Sequence, residues 1–278
     1  MSANRSILIT GSSSGIGYDA ARTLLHRGWR VFATCRKPED CQRLGAEGLE
    51  SFPLDLSDDA SIEAAFSEVL DRTGGRIDAL FNNGAYMQVG ALEDVPTDAI
   101  RALFEVNLFG CHTLTRLAIP AMRGQGHGRI VQNSSILGFV ALAWRGAYTA
   151  TKYALEGMTD ALRLELAGSG VHVSLVQPGP IKTRIRVNSR PHFDKWIDWQ
   201  NSHLRSFYES QLIPRLFDDE ITKDRFELMP EAVTRCVIHA LESPRPRTHY
   251  PVTVPTIAMR GFKRFLPVRM VDSILRKY

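Results

Sequence analysis

The chain has 278 residues, 44% of them hydrophobic and 23% charged, with a formal net charge of +4. A chain of this size buries enough surface to be stable without disulfides or metals, and open α/β sheets often reach it undivided, so one domain spanning 1–278 is expected. Apolar runs such as Phe139 to Trp144 fall far short of the roughly 18 residues of a membrane span, and the patterned segment Ser6 to Thr10 begins too early to leave room for a secretion signal, so a cytoplasmic chain is expected.

Taken in chain order, Ser6 to Thr10 is a β-branched run ending in glycines, followed by a helical pattern from about Ile16 to His26. Trp29 to Thr34 has the pattern of a buried strand, and further strands are predicted near Leu49 to Leu54, Ala79 to Phe81, Arg129 to Gln132 and Val171 to Val176. Helices fit between them at Ser57 to Arg72, Asp98 to Met122 and Gly146 to Ala167. Strands that alternate with helices cannot pair as hairpins, and their crossovers are right-handed. The prediction is therefore an α/β fold, a single doubly wound parallel sheet of Rossmann type with helices on both faces. In such sheets ligands bind beyond the carboxyl ends of the strands.

After Gly179 this rhythm breaks. Residues 184–228 hold Phe193, Trp196, Trp199, Phe207, Tyr208, Phe217 and Phe226, a density of aromatics above the chain average of 9%. A lid over an apolar substrate is expected, with extra core packing or a subunit contact as the alternative. The segment 256–278 carries Arg260, Lys263, Arg264, Arg269, Arg276 and Lys277 against Asp272 alone, so the basicity of the chain resides in its tail. Cations among Phe262, Phe265, Leu266, Val268 and Met270 suit a peripheral contact with an anionic membrane. Packing on the same domain or on a partner subunit is the more usual role of such a segment. Pro267 is expected to interrupt any helix there. Nucleic acid is not expected as a partner, because no recognisable nucleic-acid module backs these cations. Cys35, Cys41, Cys111 and Cys236 are scattered without metal-ligand spacing, so inert thiols and no metal site are predicted.

The first strand leads into Thr10-Gly11-Ser12-Ser13-Ser14-Gly15-Ile16-Gly17 and then a helix. Glycines there let the backbone turn sharply beside a pyrophosphate, whose charge the open amides of the helix start would favour. After the second strand comes Thr34-Cys35-Arg36-Lys37, with no carboxylate to bind the ribose hydroxyls of NAD. Arg36 offers a planar fork suited to the 2′-phosphate of NADP. Tyr148 and Lys152 stand four residues apart on one face of a predicted helix, an arrangement suited to proton transfer, since a nearby cation is expected to lower the tyrosine pKa from about 10. Ser134 and Ser135 follow the Ile130-Val131 strand, where a hydroxyl would face the crevice.

Together these residues resemble the short-chain dehydrogenase/reductase family. The features that carry the likeness are Thr10-Gly11-x-x-x-Gly15-Ile16-Gly17, Asp55-Leu56, Asn82-Asn83, Asn107, Ser135, Tyr148, Lys152 and Pro178-Gly179-x-x-x-Thr183. The resemblance implies that Tyr148 is the proton donor and acceptor, that Ser135 hydrogen-bonds the substrate oxygen, and that Lys152 holds the nicotinamide ribose. It implies that Asn107 anchors a proton-relaying water, and that NADP(H) is held by Gly11, Ser13, Ser14, Gly15, Ile16, Gly17, Arg36, Asp55, Leu56, Asn82, Tyr148, Lys152, Pro178, Gly179, Ile181 and Thr183. Asp55 would meet the adenine and Thr183 the carboxamide. The usual Asn-Asn-Ala-Gly of the family stands here as Asn82-Asn83-Gly84-Ala85. Within the family the chain is similar to bacterial NADP-dependent aldehyde reductases and to the retinol and 17β-hydroxysteroid dehydrogenase branch, which implies hydrophobic carbonyl or alcohol substrates. Family members are usually dimers or tetramers, so a homo-oligomer is expected. A non-catalytic NADP-binding redox sensor is the alternative, although a sensor has no need of Ser135, Tyr148 and Lys152 together.

Overall fold

A β-strand alternates its side chains between two faces, and in the central strands here both faces are apolar. Ile7 and Ile9 of β1 (Ser6–Ile9) enter one buried cluster and Leu8 the other, and Phe81 and Leu80 of β4 (Ala79–Asn82) divide in the same way. Such strands must be covered on both sides. A computed structural model, which describes residues 5–217 and 226–276, shows this arrangement. Its sheet has seven strands in the order β3-β2-β1-β4-β5-β6-β7, and all neighbours are parallel. The others are β2 (Arg30–Cys35), β3 (Glu50–Pro53), β5 (Gly128–Asn133), β6 (Val171–Gln177) and β7 (His249–Pro251). The fold is thus the doubly wound α/β sheet expected.

Helices α1 (Gly15–His26), α2 (Pro38–Ala46) and α10 (Glu231–Glu242) supply the cluster on one face. On the other lie α3 (Asp59–Thr73), α5 (Gly110–Gly124) and the end of α6 (Gly146–Glu165). Asp58 caps α3 by accepting from the Ala60 amide at 3.0 Å, and Gly74 ends the helix at φ +66°, the left-handed turn that a residue without Cβ takes at least cost. Strand order reverses between β1 and β4, which opens a crevice at their carboxyl ends. A third apolar cluster covers that end of the sheet and contains Tyr148 together with residues of the insertion after β6.

Helices α2 and α10 were not among those predicted, and two further elements depart from the sequence expectation. The helix predicted from Asp98 to Met122 is α4 (Thr97–Phe104) and α5 joined by a π-helical turn, Glu105–Phe109. The seventh strand was not predicted, because it is three residues long and ends in a proline, which only a sheet edge accommodates. The insertion folds as α7 (Ile185–Trp196), α8 (Arg205–Phe207) and α9 (Ile213–Phe217); its residues 218–225 lie outside the described residues, as does Lys277 of the basic tail. The tail forms α11 (Val254–Phe265) and α12 (Val268–Leu275), broken at Pro267 as expected. Met259 and Val271 are buried in the third cluster, so the tail packs on its own sheet domain. Cys35, Cys41 and Cys111 are buried thiols, and Cys236 is half-buried. No helix among the described residues is long and apolar enough to cross a membrane.

Candidate active site

The glycine loop is held open by side chains that bind backbone. Ser12 donates from Oγ to the Ile9 carbonyl at 3.0 Å and from its amide to Thr34 at 2.9 Å. Gly11 and Gly15 sit at φ +67° and +59°, where other residues are strained. A Cβ on Gly11 would fall 2.7 Å from Gly84 Cα, and one on Gly15 would fall 3.1 Å from Thr183 Cγ2. Helix α1 starts at Ser14 with no side-chain cap and no acidic residue in its first turn. Its first amides and the positive end of its dipole are therefore left for an anion. Ser13 and Ser14 are half-buried in this loop, and Ile16 packs beside Ile181 against the core below. These residues fit the diphosphate of a dinucleotide.

Around this loop, Arg36 stands exposed just past β2. Asp55, past β3, accepts from the amide and hydroxyl of Ser57 at 2.9 and 2.7 Å, and Leu56 is buried behind it. Pro178 accepts from the Ile136 amide at 2.7 Å, and Gly179 is packed against the Thr253 and Thr256 hydroxyls. The motif Asn82-Asn83-Gly84-Ala85 divides its tasks between its two asparagines. The buried Asn82 side chain donates to Thr115 Oγ1 of α5 at 2.8 Å. Asn83 instead ties the loops together: its Nδ2 donates to the carbonyls of Thr10 and Gly11 at 2.9 and 3.1 Å, and its Oδ1 accepts from Asn133 at 2.9 Å. The bare Gly84 lets its own amide and that of Asn83 reach the Thr10 hydroxyl at 2.8 and 3.0 Å; a Cβ there would lie 3.2 Å from that oxygen.

Tyr148 and Lys152 lie in the first turns of α6 and are 6% and 3% exposed. The Lys152 ammonium is 5.6 Å from the centre of the Tyr148 ring and donates to the Asn133 carbonyl at 2.7 Å. A chain of contacts thus runs from the glycine loop through Asn83 and Asn133 to Lys152. Asn83 and Asn133 were not predicted as site residues; their place just beyond β4 and β5 was the available signal. Ser135 opens the short turn Ile136–Gly138, its hydroxyl accepting from the Leu137 amide at 3.1 Å. Asn107, fully buried in the π-helical turn, accepts from the Tyr86 amide at 3.1 Å and donates to its carbonyl at 2.9 Å. It also reaches Thr151 Oγ1 of α6 at 3.3 Å. Such turns recur at functional sites because one extra residue re-aims a side chain.

Burial works against one expectation. Burial pushes the Tyr148 phenol well above its ordinary range, with a hydrogen bond to Ser135 acting in the opposite direction. Burial likewise lowers Lys152 to about 8. Burial thus opposes the lowering expected from a neighbouring ammonium, and the resting phenol keeps its proton.

The insertion covers Tyr148 but spends part of its aromatic content on packing. Phe193 and Tyr208 are buried, and the Tyr208 hydroxyl donates to Asp94 at 2.7 Å and accepts from the Ala91 amide at 2.8 Å. Phe207 stacks on Trp144 with ring centres 3.7 Å apart, and His192 stacks on Tyr86 at the same distance. The ends of the insertion are joined: Ile181 and Leu228 form a parallel bridge, with Lys182 donating to the Leu228 carbonyl at 2.9 Å and Leu228 to Pro180 at 3.1 Å.

Residues 5–193 match the sequence profile of the short chain dehydrogenases. The uncharacterized oxidoreductase YbbO of Escherichia coli K12 is 40% identical over 273 residues, 98% of this chain and 94% of its own. The 17-beta-hydroxysteroid dehydrogenase type 6 of Rattus norvegicus is 34% identical over 97% of this chain and 87% of its own. A crystal structure of a short-chain dehydrogenase from Streptomyces avermitilis superposes with a TM-score of 0.80 at 28% identity, covering 98% of this chain and 97% of that one.

Proposed function

The chain belongs to the short-chain dehydrogenase family, and on that premise we propose that it transfers hydride between NADPH and a hydrophobic aldehyde or ketone. The observation that carries the reading is the buried Tyr148, one helical turn from Lys152, inside an apolar cluster. The glycine loop and Arg36 would hold NADPH along the crevice, where it would supply the hydride. As the carbonyl carbon gains it, the C=O π pair moves to oxygen. The Tyr148 and Ser135 hydroxyls donate hydrogen bonds to that developing charge. Tyr148 then gives up its proton and the product is an alcohol. Lys152 carries the positive charge that stabilises the phenolate left behind. Asn107 would hold the water through which Lys152 communicates with solvent, and Thr183, pressed against Gly15, would close over the cofactor.

Arg36, with no acidic residue from Thr34 through Lys37, supports a preference for NADP(H) over NAD(H). An apolar substrate is supported by Leu137, Val140 and Phe193, which share the buried cluster of Tyr148. Self-association is supported by Tyr153, Met158 and Leu164, exposed on α6. A peripheral membrane contact is supported by apolar residues exposed among the cations of α11 and α12.

The test is turnover of a panel of aldehydes, ketosteroids and retinal with NADPH and NADH side by side, followed by Tyr148→Phe on the preferred pair. General acid catalysis contributes about 10² to 10⁴, so the variant is expected to lose turnover by that factor while NADPH still quenches its fluorescence. Retention of substantial turnover would reject Tyr148 as the acid, and no oxidation of NADPH by the wild-type chain on any carbonyl would favour the sensor.

A further inference from the structure

The turn that carries Ser135 is gripped from behind by the C-terminal basic segment. Gly138, which closes the turn, has no room for a side chain: a Cβ there would run into the Ser134 hydroxyl and lie 2.8 Å from Glu156 Oε1. Glu156 stands on α6 one turn beyond Lys152. Gln177, the last residue of β6 and 1% exposed, donates its Nε2 to both Glu156 carboxylate oxygens at 2.8 Å. Its Oε1 accepts from Arg260 Nη1 of α11 at 2.6 Å. With a carboxylate on one side and a guanidinium on the other, only one orientation of this amide satisfies all its partners. Both contacts are charge-assisted, and so among the stronger hydrogen bonds a fold can make. One helical turn along α11, Lys263 donates to the carbonyl of Phe139, the residue directly after the turn, and to the Tyr153 hydroxyl at 3.0 Å.

Helix α11 thus reaches the Ser135 turn at two points, through Gln177 and Glu156 at Gly138, and through Phe139 at its end. We propose that Arg260 and Lys263 are positioning residues for the reaction: they fix the Ser135 turn against α6, and with it the placement of the Ser135 hydroxyl beside Tyr148, without touching substrate or cofactor. The inference rests on the hydride-transfer reading for its kinetic consequence, but its structural content can be measured independently.

The experiment compares wild type, Arg260→Met, Lys263→Met, the double variant and Arg260→Lys. It follows amide hydrogen exchange at Leu137 and Gly138 without cofactor, then kcat, KM for the carbonyl and NADPH affinity. Misplacement of a reacting group by even 1 Å can cost about 10²-fold in rate, so Arg260→Met is expected to exchange faster at both amides and to lose kcat by about tenfold or more. KM and NADPH affinity should stay within about twofold of wild type, and Arg260→Lys, which still donates to Gln177, should recover most of the loss. If the double variant fails to fold, the two single variants decide. Unchanged exchange in Arg260→Met, unchanged kcat, or a change confined to KM would overturn the proposal. Should the wild-type chain oxidise NADPH with no carbonyl, the hydride-transfer reading fails, while the exchange measurement still decides whether the segment holds the turn.

Discussion

Lys152 shows what proximity in sequence can and cannot say. The spacing Tyr148-x-x-x-Lys152 correctly places the two side chains on one helical face, but the effect of enclosure on each depends on the cluster around them, which is assembled from distant segments. Enclosure holds the phenol in its protonated form and brings the ammonium down to about 8. Lys152 is therefore charged below that value and loses its charge as pH rises through it, so the phenolate formed by proton donation then lacks a counter-charge. We expect kcat/KM for NADPH in the reductive direction, which reports the ionisations of the free enzyme, to fall on the alkaline side with a midpoint near 8. Lys152→Arg, which stays protonated, should lack that limb at whatever activity it retains. A profile flat from about pH 7 to 9 would exclude Lys152 as the titrating group. Ser135 and Arg36 were legible because each stands just past a strand and offers recognisable chemistry. Asn83 and Asn133 were harder to see, since the bond between them joins residues 50 apart and no local spacing announces it.

At the level of elements, six of the seven strands and the helices α1, α3 and α6 followed from apolar periodicity, while the π-helical turn Glu105–Phe109 did not. The pattern from Asp98 to Met122 continues through it, so the sequence presents one helix, whereas the fold inserts a residue that turns Asn107 toward Tyr86 and α6. The lid was legible as an apolar insertion, but which aromatics face a substrate and which anchor the lid depends on the partners they find. Tyr208 is an anchor. Replacing it with phenylalanine removes a donor to Asp94, which keeps its bond from Ser202, and the acceptor for the Ala91 amide, which leaves that buried amide unpaired at a cost of about 1–3 kcal/mol. Tyr208→Phe is expected to lower the melting temperature and raise KM for the carbonyl while NADPH affinity holds. A variant with wild-type KM and melting behaviour would show that the lid is secured elsewhere.

Over the whole molecule, charge is distributed unevenly. The body is nearly neutral, and the excess of cations lies in the segment 256–278. There Phe265 and Val268 are 79% and 74% exposed, next to Lys263, Arg264 and Arg269. The sequence showed this mixture but not which apolar residues the fold would consume; Met259 and Val271 turn inward and Phe265 and Val268 do not. We expect the full chain to sediment with vesicles containing phosphatidylserine at low ionic strength and to be released near 1 M salt, where screening shortens the range of attraction to about 3 Å. Phe265→Asp with Val268→Asp should abolish sedimentation, and failure of the wild-type chain to sediment at low salt would reject the contact. The joined ends of the lid bear on a different matter. Because Ile181 and Leu228 meet as neighbours, everything between them leaves and rejoins the scaffold at one place. Such a cassette can be rewritten, lengthened or exchanged with that of a cousin without shifting the sheet. Selectivity for the incoming molecule can accordingly diverge between descendants while the proton-handling apparatus beneath passes on unaltered.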